Sequence, residues 1–101
     1  MTDVYDHRQL DVVLQARLRL AAMTLLAVTG AATFAALKER LGASDGNLGA
    51  HMKKLRDAGY VAEDKRFEND KPLTTYRITA KGRRALETYL DRLAAMVKGR
   101  T

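Results

Sequence analysis

The sequence predicts a mainly α-helical fold with a small β-hairpin, an α+β chain, and three features carry that expectation. The first is the stretch Ser44-Asp-Gly-Asn-Leu-Gly-Ala-His-Met-Lys-Lys-Leu-Arg-Asp-Ala-Gly-Tyr-Val61, a short capped helix leading into a strand. The second is a pair of strand-like segments, Tyr60 to Phe67 and Thr74 to Ile78, around the polar loop Glu68-Asn69-Asp70-Lys71-Pro72. The third is a final helix on which Leu86, Leu90, Leu93 and Val97 recur at spacings of four, three and four. With 101 residues and no repeat, low-complexity tract or Gly/Ser-rich linker, residues 1–101 are expected to form one domain around one modest core.

Taken in order, residues 1–9 carry no apolar period and are expected to be a flexible N-terminus, frayed over residues 1–7. From Arg8 to Val28 the chain reads as helical, with a break near Gln15-Ala16; its later half, Leu18 to Val28, is apolar nearly all round and should cross the core. Thr29-Gly30 end it. Thr33 caps a short helix, Phe34 to Leu41, whose Phe34, Leu37 and Leu41 face inward. Gly42-Ala43 turn the chain into Ser44. There the Ser44 hydroxyl can accept an orphan N–H and Asp45 suits the positive end of the helix. Leu48, Met52 and Leu55 form one buried stripe, and Gly59 closes the helix in the left-handed conformation. Thr74, Tyr76 and Ile78 alternate with Thr75 and Arg77, the period of a half-buried strand. Thr79 caps the last helix, residues 79–98. Two helices around a tight turn, then a hairpin, make a winged helix-turn-helix, whose second helix has one face free for a DNA groove.

Bulk properties narrow the function. Cysteine is absent, which removes a disulfide framework and a thiolate nucleophile; with only His7 and His51, no metal site built on histidine and cysteine can be assembled. No phosphate-loop spacing, carboxylate dyad or nucleophile–base pair is evident, so neither an enzyme nor a cofactor is expected. The N-terminus shows no secretory pattern and the longest apolar run, Leu20 to Val28, falls well short of the ~20 residues that span a bilayer, so a cytoplasmic protein without membrane contact is expected. Eighteen basic against twelve acidic residues give a charge of +6, which favours a polyanionic partner. The excess is uneven: residues 38–58 carry a net +2, residues 79–101 a net +4.

At Ser44–Val61 the chain resembles the recognition helix and first wing strand of the MarR and ArsR-type regulators. Thr74-Thr-Tyr-Arg-Ile-Thr-Ala-Lys-Gly-Arg83 resembles the second wing strand and final-helix start of the MarR-like and PadR-like branches. Leu18 to Leu26 resembles the first core helix of the same group. The resemblance spans roughly residues 10 to 95 and implies a homodimer that places one recognition helix per half-site in successive major grooves of double-stranded DNA. Carried over by position, it implies Ser44, Asp45, Gly46, Asn47, Gly49, Ala50 and Lys53 as DNA-facing residues, with Lys54 toward the backbone and Arg66 and Lys71 offered by the wing. Many relatives place larger polar side chains where this chain has Gly49 and Ala50. Either Gly46 and Gly49 admit close approach of DNA, or packing tolerates poor helix formers in the first turns.

Within that surface, Asn47 suits an adenine and Lys53 a guanine or phosphate, while a helix-start role accounts for Asp45. His51 is expected to be half-buried or to donate to a phosphate. The leucine seam runs further than so small a core needs, so residues 79–98 are expected to be a dimerisation helix. There Leu86, Leu90, Leu93 and Val97 would meet Leu10, Val13 and Leu14 of a second copy. The leading expectation is a homodimeric, sequence-specific DNA-binding regulator, a repressor that blocks polymerase at its operator. The alternative is a winged-helix protein-interaction or architectural module without sequence-specific binding. No dedicated sensor domain is expected at this length, and the sequence names no small-molecule effector, operator or regulated gene.

Overall fold

A computed structural model describes residues 4–99. Four α-helices, α1 (Arg17–Thr29), α2 (Phe34–Leu41), α3 (Asp45–Asp57) and α4 (Ala80–Lys98), enclose a core closed on one side by a three-stranded antiparallel sheet. Its strands are β1 (Ala31–Thr33), β2 (Val61–Glu68) and β3 (Lys71–Ile78), in the order β1-β3-β2. Leu14, Met23, Leu26, Leu37, Leu48, Met52 and Leu55 are fully buried, so every helix of the first two-thirds contributes to one core.

The three expected caps are made. The Thr33 hydroxyl accepts from Ala36 N–H at 3.1 Å, Ser44 from Asn47 N–H at 3.2 Å and Thr79 from Gly82 N–H at 2.9 Å, each satisfying an orphan donor of its helix. Gly59, at φ +80°, closes the turn after α3, and the Thr79 hydroxyl donates back to its carbonyl at 2.7 Å. This ties the end of α3 to the start of α4.

Four expectations are corrected. The segment from Arg8 is not one helix: two 3-10 turns, His7–Gln9 and Val12–Gln15, precede α1. The carboxylates of Asp6 and Asp11 accept from the N–H groups of Arg8 and Val13, starting each turn locally, and extended backbone at Ala16 separates them from α1. The expected flexible stretch 1–9 therefore contains, from Val4 on, a turn and the first 3-10 turn, while residues 1–3 lie outside the described residues. Helix α1 buries only Ala22, Met23 and Leu26 fully, and leaves Val28 87% exposed. Finally, the hairpin gains a third strand: Ala31–Thr33 pairs with Thr75–Arg77, a strand too short and too rich in alanine to show a period.

The hairpin loop is also tighter than its polar composition suggested. Strands β2 and β3 pair without interruption from Val61↔Ile78 to Glu68↔Lys71, leaving only Asn69 and Asp70 as the turn. Both have positive φ (53° and 61°), as a type I′ turn requires, and Asn and Asp tolerate that region better than other side chains. Pro72 is accommodated because β1 pairs with β3 only from Thr75 onward, so no third strand needs its missing N–H.

Candidate nucleic-acid interface

Helix α3 divides into two faces. Leu48, Met52 and Leu55 are fully buried, as their spacing predicts, while Gly46, Ala50 and Lys53 lie on the opposite side, all exposed. That outer face is almost without side chains over its first half. A Cβ placed at Gly46 or Gly49 would meet nothing within 4 Å, so nothing inside the protein requires glycine at either position. Asn47 lies to one flank, at a hollow lined by Arg17, Leu18, Ala21 and Leu41, which brings the exposed Arg17 guanidinium into the same neighbourhood. Lys53 and Gly49 lie on the other flank, facing the hairpin.

The remaining expected contacts at the helix start have structural duties. The Ser44 hydroxyl is engaged as the cap, and Asp45 pairs with Lys38 at 3.0 Å. Lys53 pairs with Asp57 one turn on, at 2.8 Å; both partners are more than half exposed, so the pair is a weak restraint on the lysine. Lys54 is exposed on the side of α1, beside Val12, Val13 and Arg19.

The hairpin register decides which of its cations share a side with α3. Cross-strand partners lie on one face, so Glu63, Lys65 and Phe67 share a face with Tyr76, Thr74 and Pro72. Glu63, Lys65, Thr74 and Tyr76 line a groove of about 400 Å³ with Gly49, Lys53, Arg56 and Phe34. Arg66 and Lys71 belong to the other face, with Arg66 in a short ion pair to Asp64. Lys65 is thus the hairpin cation beside α3, while Arg66 and Lys71, the cations expected from the wing, lie on its other face. The alternation Val61, Glu63, Lys65, Phe67 was the available signal.

A half-buried network fixes the hairpin to α3. Arg56 donates to Glu63 Oε1 at 2.8 Å and Tyr76 donates its hydroxyl to Oε2 at 2.8 Å. Burial alone would raise the Glu63 carboxyl, but the hydrogen bonds from Tyr76 and Arg56 and the nearby cations hold it below its usual value. Burial, followed by the Glu63 contact, pushes the Tyr76 hydroxyl up, so Glu63 is the ionised partner throughout the neutral range. On the far side of α3, the Arg19 guanidinium holds Val13 O at 2.6 Å and lies 3.0 Å from His51 Nδ1. Arginine only donates, so Nδ1 is the acceptor and the proton sits on Nε2. Burial and the charges of Arg19 and Lys54 lower the His51 value.

Two expected intermolecular contacts are corrected as well. Leu14 is fully buried and Leu86 is 5% exposed, both inside this chain's own core, so neither is available to a second copy. Leu90, Leu93 and Val97 are exposed, at 44%, 38% and 82%, while Leu10 and Val13 are half-buried against the core. Sequence reasoning also missed Gly82. It packs so closely on the loop after α3 that a Cβ there would stand 2.1 Å from the Tyr60 carbonyl oxygen.

Residues 18–97 match the family model described as winged helix DNA-binding domain. The chain belongs to that family. An uncharacterized protein of Methanocaldococcus jannaschii is 39% identical over 62 residues, which cover 61% of this chain and 67% of that one. The transcriptional regulator homologue from Pyrococcus horikoshii OT3 superposes with a TM-score of 0.80 at 30% identity, covering 86% of each chain. The M. tuberculosis transcriptional regulator MOSR, solved in complex with DNA, shares the fold at 20% identity and a TM-score of 0.68, covering 93% of this chain and 69% of that one. The winged helix is also the fold of solved MarR and ArsR family regulators. In that fold, α3 stands at the position of the recognition helix, and β2 and β3 form the wing. Among the described residues no three His, Asp or Glu side chains group as a metal site, and no helix is long and apolar enough to cross a membrane.

Proposed function

We propose that this winged helix domain is a homodimeric, sequence-specific DNA-binding regulator, a repressor acting in the cytoplasm by occupying its operator. The observation that carries the reading is the outer face of α3. Gly46, Gly49 and Ala50 leave its backbone bare, Asn47 and Lys53 stand at its edges, and the wing rises beside it with Lys65. A bare helix can sit deep in a major groove, where Asn47 would offer its amide to adenine and Lys53 a donor to guanine or phosphate. Arg17, Lys54 and Lys65 would then hold the flanking phosphates, which give affinity without reading sequence.

The exposed apolar residues of α4 support the homodimer. Leu90, Leu93 and Val97 recur on one side of a helix that outruns the core, and a two-fold partner would cover them while duplicating α3 for a second half-site. The sparse reading groups on α3 favour one further possibility, sequence-tolerant architectural binding. Enrichment of duplexes from a random pool separates the two. A regulator enriches one motif with two-fold symmetry, and its affinity for that motif falls steeply with salt. An architectural protein binds with the same salt dependence but enriches no motif, and a protein-docking module does neither.

A further inference from the structure

We propose that the tip of the wing is an apolar wedge for the DNA minor groove, with Phe67 as the inserting ring and Pro72 as its support. The inference rests on the DNA-binding reading above and concerns a part of the surface that the recognition helix does not explain.

Phe67 is 78% exposed, although it is one of only two phenylalanines in the chain, and its cross-strand partner Pro72 is exposed too. The fold gains little from either. Their position is what gives them a use. Both lie on the face of the hairpin that carries Glu63, Lys65, Thr74 and Tyr76, so they prolong the wall of the groove between α3 and the wing. Along that wall the chemistry changes in order. At the base, Glu63 is clamped by Arg56 and Tyr76; next come Lys65 and Thr74, able to hold a phosphate; at the end come Phe67 and Pro72. A duplex lying against α3 presents the same order, a phosphate backbone first and the minor groove beyond it.

The reach of the wing is of the order that a duplex requires. Phe67 lies four residues beyond Glu63, about 13 Å along an extended strand. Adjacent major and minor grooves are centred about 17 Å apart, half of a helical turn. The two-residue turn at Asn69-Asp70 ends the ribbon just beyond Phe67, so the ring alone, not the ribbon, would enter a minor groove about 6 Å wide. Phenylalanine and proline are among the side chains that wedge between base steps from the minor groove, where they unstack and bend the duplex. Such a wedge would favour easily unstacked pyrimidine–purine steps at the flanks of the site, adding selectivity where α3 has few reading groups.

The chain contains no tryptophan, so Phe67→Trp supplies a single fluorescent reporter at an exposed position that the fold does not depend on. The probe is a fluorescein-labelled 30-base-pair duplex from the pool enriched by the unaltered protein, or an unenriched random duplex if no motif emerges. Binding is followed by anisotropy, and indole emission and acrylamide quenching are followed in parallel. Insertion predicts that binding quenches the indole by base stacking and shields it from acrylamide, and that netropsin bound beforehand in the minor groove prevents both. Phe67→Ala is expected to lose about 5- to 150-fold in affinity, the range of one base–aromatic stack. Binding by anisotropy with an unchanged, acrylamide-accessible indole overturns the wedge and leaves the DNA-binding reading standing. An indole already shielded before DNA is added puts the tip against a second copy and also overturns it. No binding to any duplex overturns both readings together.

Discussion

Replacing Gly46 and Gly49 by alanine should make the protein more stable and a worse DNA binder. Both residues have ordinary helical backbone angles, and a methyl group at either meets nothing within 4 Å, so alanine introduces no strain. Alanine at a compatible glycine site stabilises by about 0.4–1 kcal/mol, chiefly by restricting the unfolded chain. Gly46, in the first turn of α3, belongs at the low end of that range and Gly49, further in, at the high end. Together they should contribute about 1.5 kcal/mol, or a rise in Tm of about 6–12 °C for a domain of this size. The same two methyl groups project into the space that a bound duplex would fill. If the backbone of α3 approaches DNA closely, the double variant should lose at least tenfold in affinity for an enriched duplex, against its gain in stability. Thermal melts and titrations on the same preparation measure both. A variant that is more stable and binds equally well would refute close approach. A variant that is less stable would refute the packing description of α3 itself.

Further outcomes follow from other contacts. Asn47→Ala should cost about 1–3 kcal/mol on an enriched duplex and almost nothing on a scrambled one, whereas Lys65→Ala should weaken both alike and lower the salt slope by about one. Lys71→Ala, on the far face of the wing, should change that slope less than Lys65→Ala, as read from titrations at two salt concentrations. Gly82→Ala forces a Cβ into the Tyr60 carbonyl and should destabilise by about 1–3 kcal/mol in urea unfolding, with no direct effect on the DNA surface. His51 has a lowered value in the folded chain, so its neutral form is the one the fold prefers. Its stabilising contribution is complete above the ordinary value of 6.5 and is lost as pH falls below it. Unaltered protein should therefore lose more stability between pH 7.5 and 5 than His51→Gln, measured by urea unfolding across that range. Leu90→Glu with Val97→Glu should shift sedimentation from twice the chain mass to the chain mass, leave the far-UV circular dichroism unchanged, and lower Tm while removing its dependence on protein concentration.

Much of this architecture was legible because it is written locally. Thr33, Ser44 and Thr79 announce three helices through a single hydroxyl each, and Leu48, Met52 and Leu55 identify the buried side of α3 through spacing alone. What the sequence concealed depends on partners distant in the chain. Strand β1 exists only because Thr75–Arg77 is there to pair with it, and Gly82 is required only because the Tyr60 carbonyl packs against it. Leu14 and Leu86 carry the same apolar signal as an interface leucine, and only the packed chain separates core from seam. The placement of Arg66 and Lys71 on the face opposite Lys65 has a similar origin. A one-residue step along a strand changes the face of every side chain, so the side on which a cation lies follows from register rather than from composition. Lys65 was recoverable from alternation with Val61 and Glu63, but the position of that face beside α3 was not.

The central claim, that the bare face of α3 meets DNA, is tested most directly by amide chemical shifts of the ¹⁵N-labelled protein titrated with an enriched duplex. The account predicts the largest changes at Gly46, Asn47, Gly49, Ala50 and Lys53, a second group at Lys65 and Phe67, and small changes along Leu90, Leu93 and Val97. Changes concentrated on α4, with the amides of α3 unmoved at saturation, would contradict it.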